Sequence, residues 1–203
     1  MHARVAWFAA VAHLVAAAAM LVLLRPGLPG FAEESRVAYM NANAGMWLGG
    51  WVLWHVAAIS LVALYIVLAL RFRDVLSMTA VGASIAGMAI DFTCEAQYIG
   101  VLPQLRGEAF ARLDRELEVL IGYAANGLYT IAFALLVIAG WRVLPKLALA
   151  LAGPVVGGGL GLALASLKGN PRAETITSAI LFISLIVWTA IVARWLASAE
   201  SSS

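Results

Sequence analysis

Apolar residues fill this chain in long unbroken stretches, at about 4–24, 44–70, 76–99, 117–141, 147–167 and 175–197. At ~1.5 Å of rise per residue, about 20 helical residues cross a hydrocarbon core ~30 Å thick. Each stretch is long enough. Polar punctuation separates them: "RPGLPG" after the first, "RFRD" after the second, "WRVLPK" after the fourth and "KGNPRAE" after the fifth, with a closing "SAESSS". In lipid, backbone polar groups must be satisfied within the segment or in a closed barrel. A barrel needs alternation of apolar and polar positions, which these runs lack. The pattern therefore predicts an all-α, polytopic membrane protein: a six-helix transmembrane bundle forming a single domain over 1–203.

Two connections are longer. The first, 25–43, carries "FAEESRVAYMNAN". In 100–116, Leu105, Phe110, Leu113 and Leu117 recur at near-helical spacing, and Glu108 precedes Arg112 by four. That segment is expected to lie on the surface as an amphipathic helix or to extend the fourth span outward.

Composition sharpens the picture. The chain is 64% hydrophobic and 12% charged, where a soluble domain carries about 25% charged residues. A net charge of +2 without a basic run gives no footing for nucleic acid. Cys94, the lone cysteine, excludes an internal disulfide and a multi-cysteine zinc site; it reads as a small buried hydrophobe. The N-terminal run from Val5 to Leu24 contains His13 and exceeds a ~7–15-residue signal core, so it is read as a retained helix. Arg71, Arg73, Arg142 and Lys146 crowd two very short turns, and basic residues favour the cytoplasm. The expected placement is a multi-pass protein of the cell membrane with both termini cytoplasmic.

The candidate chemistry lies in "DFTCEAQY", residues 91–98. Asp91 and Glu95 share one helix face with Ala83 and Gly87, and small residues let another helix approach there. A carboxylate in a membrane span is costly, and such residues mark functional sites. On the fourth span Glu118, Gly122, Asn126 and Thr130 form a matching stripe beside Tyr123 and Tyr129. Asn126 lies roughly 13 Å in from the outer end, a depth comparable to Asp91. His13 and His55 fall near the midplane of the first two spans. Trp47, Trp51 and Trp54 neighbour His55, two of them too deep for an interfacial belt, and Tyr98 ends the acidic stretch. Gly153, Gly157 and Gly161 form a small-xxx-small stripe expected to pack closely on a neighbouring helix, or on a second copy in a homo-oligomer. Pro154 is a candidate kink.

Four readings follow. In the first, a membrane-embedded enzyme isomerises or cyclises a lipophilic, isoprenoid- or sterol-like substrate. Asp91 and Glu95 form its acid/base pair, assisted by His55 and His13. Asn126, Tyr123, Tyr129, Trp47, Trp51, Trp54 and Tyr98 bind substrate. The others are a proton-coupled carrier, a scaffold subunit held by polar contacts, and a haem protein ligated by His13 and His55. No nucleophile elbow, HExxH, CxxC or dinucleotide fingerprint occurs. The first reading expects no cofactor or metal; the partners expected are membrane lipid and a lipophilic small molecule.

Overall fold

The computed structural model describes residues 1–201, so the last two serines of the polar tail lie outside the described residues. The chain is 90% helical, with no strand among the described residues. The elements are α1 (His2–Ala19), α2 (Glu33–Ala42), α3 (Ala44–Phe72), α4 (Val75–Gly100), α5 (Gly107–Val119), α6 (Asn126–Ala139), α7 (Lys146–Lys168) and α8 (Pro171–Glu200). Wider π turns at Met20–Leu24 and Leu120–Ala125 extend α1 and join α5 to α6. Six continuous helical stretches are long and apolar enough to span a bilayer: His2–Gly27, Ala44–Phe72, Val75–Gln104, Gly107–Ala139, Lys146–Lys168 and Pro171–Glu200. The protein is a multi-pass membrane protein with an all-α six-helix bundle.

Local chemistry sets the turns. Asp74 caps α4 by accepting from Ser77 N at 2.8 Å, and the Ser77 hydroxyl sits 3.4 Å from Asp74 N in return. Gly169 takes a left-handed φ of +61° after α7, and Asn170 caps α8 with Pro171 in its first turn. These short turns force antiparallel neighbours. The spans form a ring in which each packs on its neighbours in sequence, and α8 closes onto α1. Both termini therefore share one end, where the Met1 amine meets Glu200 at 2.9 Å.

The ring is filled unevenly. Toward the termini Tyr65, Phe133, Leu136 and Trp188 plug its centre, with Ala3, Ala6 and Ala9 of α1 against Val192 and Leu196 of α8. A second cluster at the opposite, loop end joins Leu24, Met40, Trp47, Trp51, Cys94, Tyr98, Phe110 and Leu117. Cys94 is buried there, as its reading as a small hydrophobe requires.

The structure adds one helix to the reading of the sequence and changes two of its expected contacts. Residues 33–42 are a helix: Arg36 lies on α2 and pairs with Asp114 through two contacts of 2.6 and 2.7 Å, while its Nε donates to Gly27 O. The guanidinium also covers the Phe110 ring. These ties hold the segment as a cap over the bundle. The 100–116 segment does extend the fourth span, but the arginine of that segment engaged in an ion pair is Arg115, bound to Glu118 at 2.8 Å. The glycine stripe of α7 packs differently from the expectation. Gly153 and Gly157 are exposed and have nothing within 4 Å of where a Cβ would stand. Gly161 alone of the three meets a neighbour, Thr177. The close approaches belong to Gly158, against the Leu181 backbone, and Gly159, against Thr130. Gly158 and Gly159 sit about 100° and 200° around the helix from Gly157, which turns them inward as it faces lipid.

Candidate functional site

Between the two packed clusters the ring is hollow. A cavity of about 790 Å³ runs from the loop end down to the level of Tyr65, Phe133 and Leu185. Most of its wall is apolar. Its exposed lining residues fall in two places: Arg25, Gly30, Phe31, Pro171, Arg172 and Thr175 at the loop end, and Leu14, Leu21, Ala179 and Ile183 along α1 and α8. Leu14 is 58% exposed, and Leu21 and Ile183 are each 65% exposed. The α1–α8 wall is thus continuous with the lipid-facing surface.

Gly87 brings α4 against α6: a Cβ there would stand 3.0 Å from Ala125 O and 3.4 Å from the Tyr129 ring. One turn on, Asp91 lies against the Tyr129 hydroxyl, although that hydroxyl makes no well-directed hydrogen bond. One further turn places Glu95, 4% exposed, in the wall. Its Oε2 is 2.6 Å from His55 Nδ1. That nitrogen also sits 2.9 Å from Trp51 O. A carbonyl only accepts, so Nδ1 bears the proton and directs it to Trp51. The Glu95 oxygen is close but off that line and is left without a directed hydrogen bond. The same logic fixes His13: Nδ1 is 2.8 Å from Ala9 O, so Nδ1 carries hydrogen and Nε2 of the neutral ring is a bare acceptor.

The predicted residues are only partly brought together. Asp91, Glu95, His13, Asn126, Tyr129, Trp51, Trp54 and Tyr98 line the cavity. His55 does not; it stands behind Glu95, its ring 4.1 Å from that of Phe92. The two histidines therefore do not face each other across one space, and the opposed ligation a bis-histidine haem needs is not set up. Trp47 is buried outside the cavity, its indole donating to Tyr98 O at 3.0 Å. Tyr123 points outward, 46% exposed. The stripe Glu118, Gly122, Asn126 and Thr130 lines the same cavity as Asp91 and Glu95 and also packs on α7: Gly122 lies against Ser166, and Asn126 Nδ2 donates to Gly159 O at 2.9 Å. The π turn at Leu120–Ala125 shifts the helical register there, which spacing alone does not reveal.

Sequence reasoning missed the mouth. Glu174 on α8 lines the cavity beside Glu118, its carboxyl facing Glu118 and Ser166. Arg115 pairs with Glu118 and donates to Ser166 O and Leu167 O, tying α5 to the end of α7. An acid in the first turn of a helix has an ordinary reading as a dipole partner, which is why Glu174 carries no signal in the sequence. Phe182, packed 5.0 Å from Trp54, was hidden in an apolar run.

No known protein family, characterised protein or solved structure matches the chain.

Proposed function

We propose that the protein is a membrane-embedded enzyme that performs acid/base chemistry, isomerisation or cyclisation, on a lipophilic isoprenoid- or sterol-like molecule. The observation that carries this reading is a mostly apolar cavity of about 790 Å³, bordering the lipid-facing surface, with Asp91 and Glu95 in its wall. Sites for small organic ligands occupy roughly 300–1,000 Å³. Asp91 beside Tyr129 and Glu95 beside His55 form two separate proton-handling pairs on one helix face. One can give a proton while the other takes one, which is what moving a double bond or closing a ring requires. His13 Nε2 and Asn126 orient the polar part of the substrate, and Trp51, Trp54 and Tyr98 hold the apolar part. The protein sits in the cell membrane with both termini cytoplasmic, so the mouth opens outward. Association of copies through the outward Gly153 and Gly157 face is compatible with this arrangement.

Isomerisation and cyclisation conserve mass, so the test is chromatographic. Protein in lipid nanodiscs is incubated with a panel of isoprenoid and sterol lipids. The expected result is a product of unchanged mass and shifted retention, absent with Asp91→Asn. No such product from any lipid of the panel would sink the reading.

One observation favours a second reading. The cavity is plugged by Tyr65, Phe133 and Trp188 on the side of the termini, as one half-cycle of a proton-coupled carrier would be. Proton-driven uptake into proteoliposomes, without chemical conversion, would select it.

A further inference from the structure

We infer that this cavity is built to hold a positive charge on a greasy ligand, and that the reaction passes through a carbocation rather than a carbanion. The inference rests on the proposed reading of the cavity as the substrate site and specifies its chemistry. Four carboxyls line the cavity: Asp91, Glu95, Glu118 and Glu174. Arg25 and Arg172 are the arginines among its lining residues, and both are exposed at the mouth. Arg115 answers Glu118. The deep pair on α4 has no lysine or arginine beside it in the wall. Glu95 in particular is 96% buried by its 4% exposure, and its Oε2 has no directed hydrogen bond. The neighbouring titratable groups are His55, whose Nδ1 stands 2.6 Å from Glu95 Oε2 and 2.9 Å from Trp51 O, His13, whose Nδ1 meets Ala9 O, and Tyr129, which adjoins Asp91.

The aromatic part of the wall, which includes Tyr98 one turn beyond Glu95 on α4, suits a cation as well. Trp51 stacks on Tyr98 with ring centroids 5.2 Å apart, and Trp54 packs on Phe182. Aromatic faces with a nearby carboxylate attract desolvated cations, including quaternary ammonium groups. A carboxyl in this position serves in either protonation state. Protonated, it adds its proton to one carbon of a C=C bond: the O–H bond breaks, the π pair forms the new C–H bond, and the adjacent carbon becomes cationic. The carboxylate left behind is then the counter-charge. Loss of a proton from a neighbouring carbon to the second carboxylate forms the new C=C bond. Protons and electrons balance without a co-reactant. An ammonium of the same shape imitates the cationic intermediate, and such analogues bind more tightly than the neutral substrate.

The experiment compares decyltrimethylammonium with its neutral carbon isostere, tert-butyl in place of trimethylammonium, and with decanoate. Binding to the nanodisc-embedded protein is read from tryptophan emission and from the melting temperature. The cation is expected to bind at least about tenfold more tightly than the isostere, with decanoate weakest. Asp91→Asn and Glu95→Gln are expected to erase that margin while leaving isostere binding intact, which also shows that they fold. Equal affinity of cation and isostere in the wild type, or an unchanged margin in both variants, overturns the inference and leaves the cavity as the ligand site. Failure of all three probes to perturb the protein overturns the cavity reading itself, and the inference with it.

Discussion

Asp91 and Glu95 differ in their surroundings although one helical turn separates them. Asp91 is partly exposed to the cavity and adjoins a tyrosine; Glu95 is buried and backed by a histidine. Replacing Asp91 by Asn keeps shape and removes proton transfer, so turnover should fall by about 10²-fold or more, while the melting temperature stays close to wild type. Glu95→Leu removes a buried acid whose oxygen lacks a directed hydrogen bond, a polar group that is costly to bury. Thermal stability should hold or rise, and activity should be lost. A fall in stability of the kind seen when a buried ion pair is broken, about 3–5 kcal/mol, would mean that the His55 contact is structural. This pair was legible in the sequence because acids inside an apolar run have few uses. The companions were less so. Trp47 and Tyr123 share the cavity residues' chemistry, but helical spacing does not say which of several faces meets the hollow.

At the scale of elements, the contrast lies within α7. Gly158→Leu would drive a side chain into the Leu181 backbone, which stands 2.8 Å from the Cβ position. Overpacking of this kind costs about 1–3 kcal/mol, and a lower melting temperature in detergent should report it. Gly157→Leu points at lipid and should leave that temperature unchanged. The reverse order would mean that α7 is rotated by about one residue, 100°. The six spans were readable from run length alone, because a bilayer demands length and apolarity and little else. The rotation of each helix was not. A stripe of three glycines and a neighbouring pair of glycines look alike in sequence, and the packing of Leu181 and Thr130 decides between them. The helix at 33–42 was missed for a related reason. It is held by Arg36 and its partners far along the chain together with Val37 and Met40, which bury in the loop-end cluster, contacts that a ten-residue local pattern does not announce.

The whole molecule is a closed ring, tied at one end by its termini and capped at the other by the Arg36–Asp114 pair. Arg36 and Asp114 side chains are 5% and 13% exposed. Arg36→Met leaves Asp114 without its partner and should lower stability by about 3–5 kcal/mol, measured by thermal unfolding in nanodiscs. Reporter fusions at residue 74 and at residue 146 should both report cytoplasm, since an even number of spans returns the chain to its starting side and the short turns there are basic.

On the proposed reading, a greasy molecule reaches Asp91 and Glu95 through the bilayer-facing side of the cavity. Dicyclohexylcarbodiimide is itself greasy, and a protonated carboxyl gives it a proton and then adds to its central carbon, so peptide mass mapping after treatment of the membrane-embedded protein reads that access directly. Modification is expected at Asp91 or Glu95, ahead of the exposed Glu34, Glu108 and Glu116, and it should fall when a bound lipophilic ligand competes. Labelling confined to those exposed surface acids, with Asp91 and Glu95 untouched, would contradict the account.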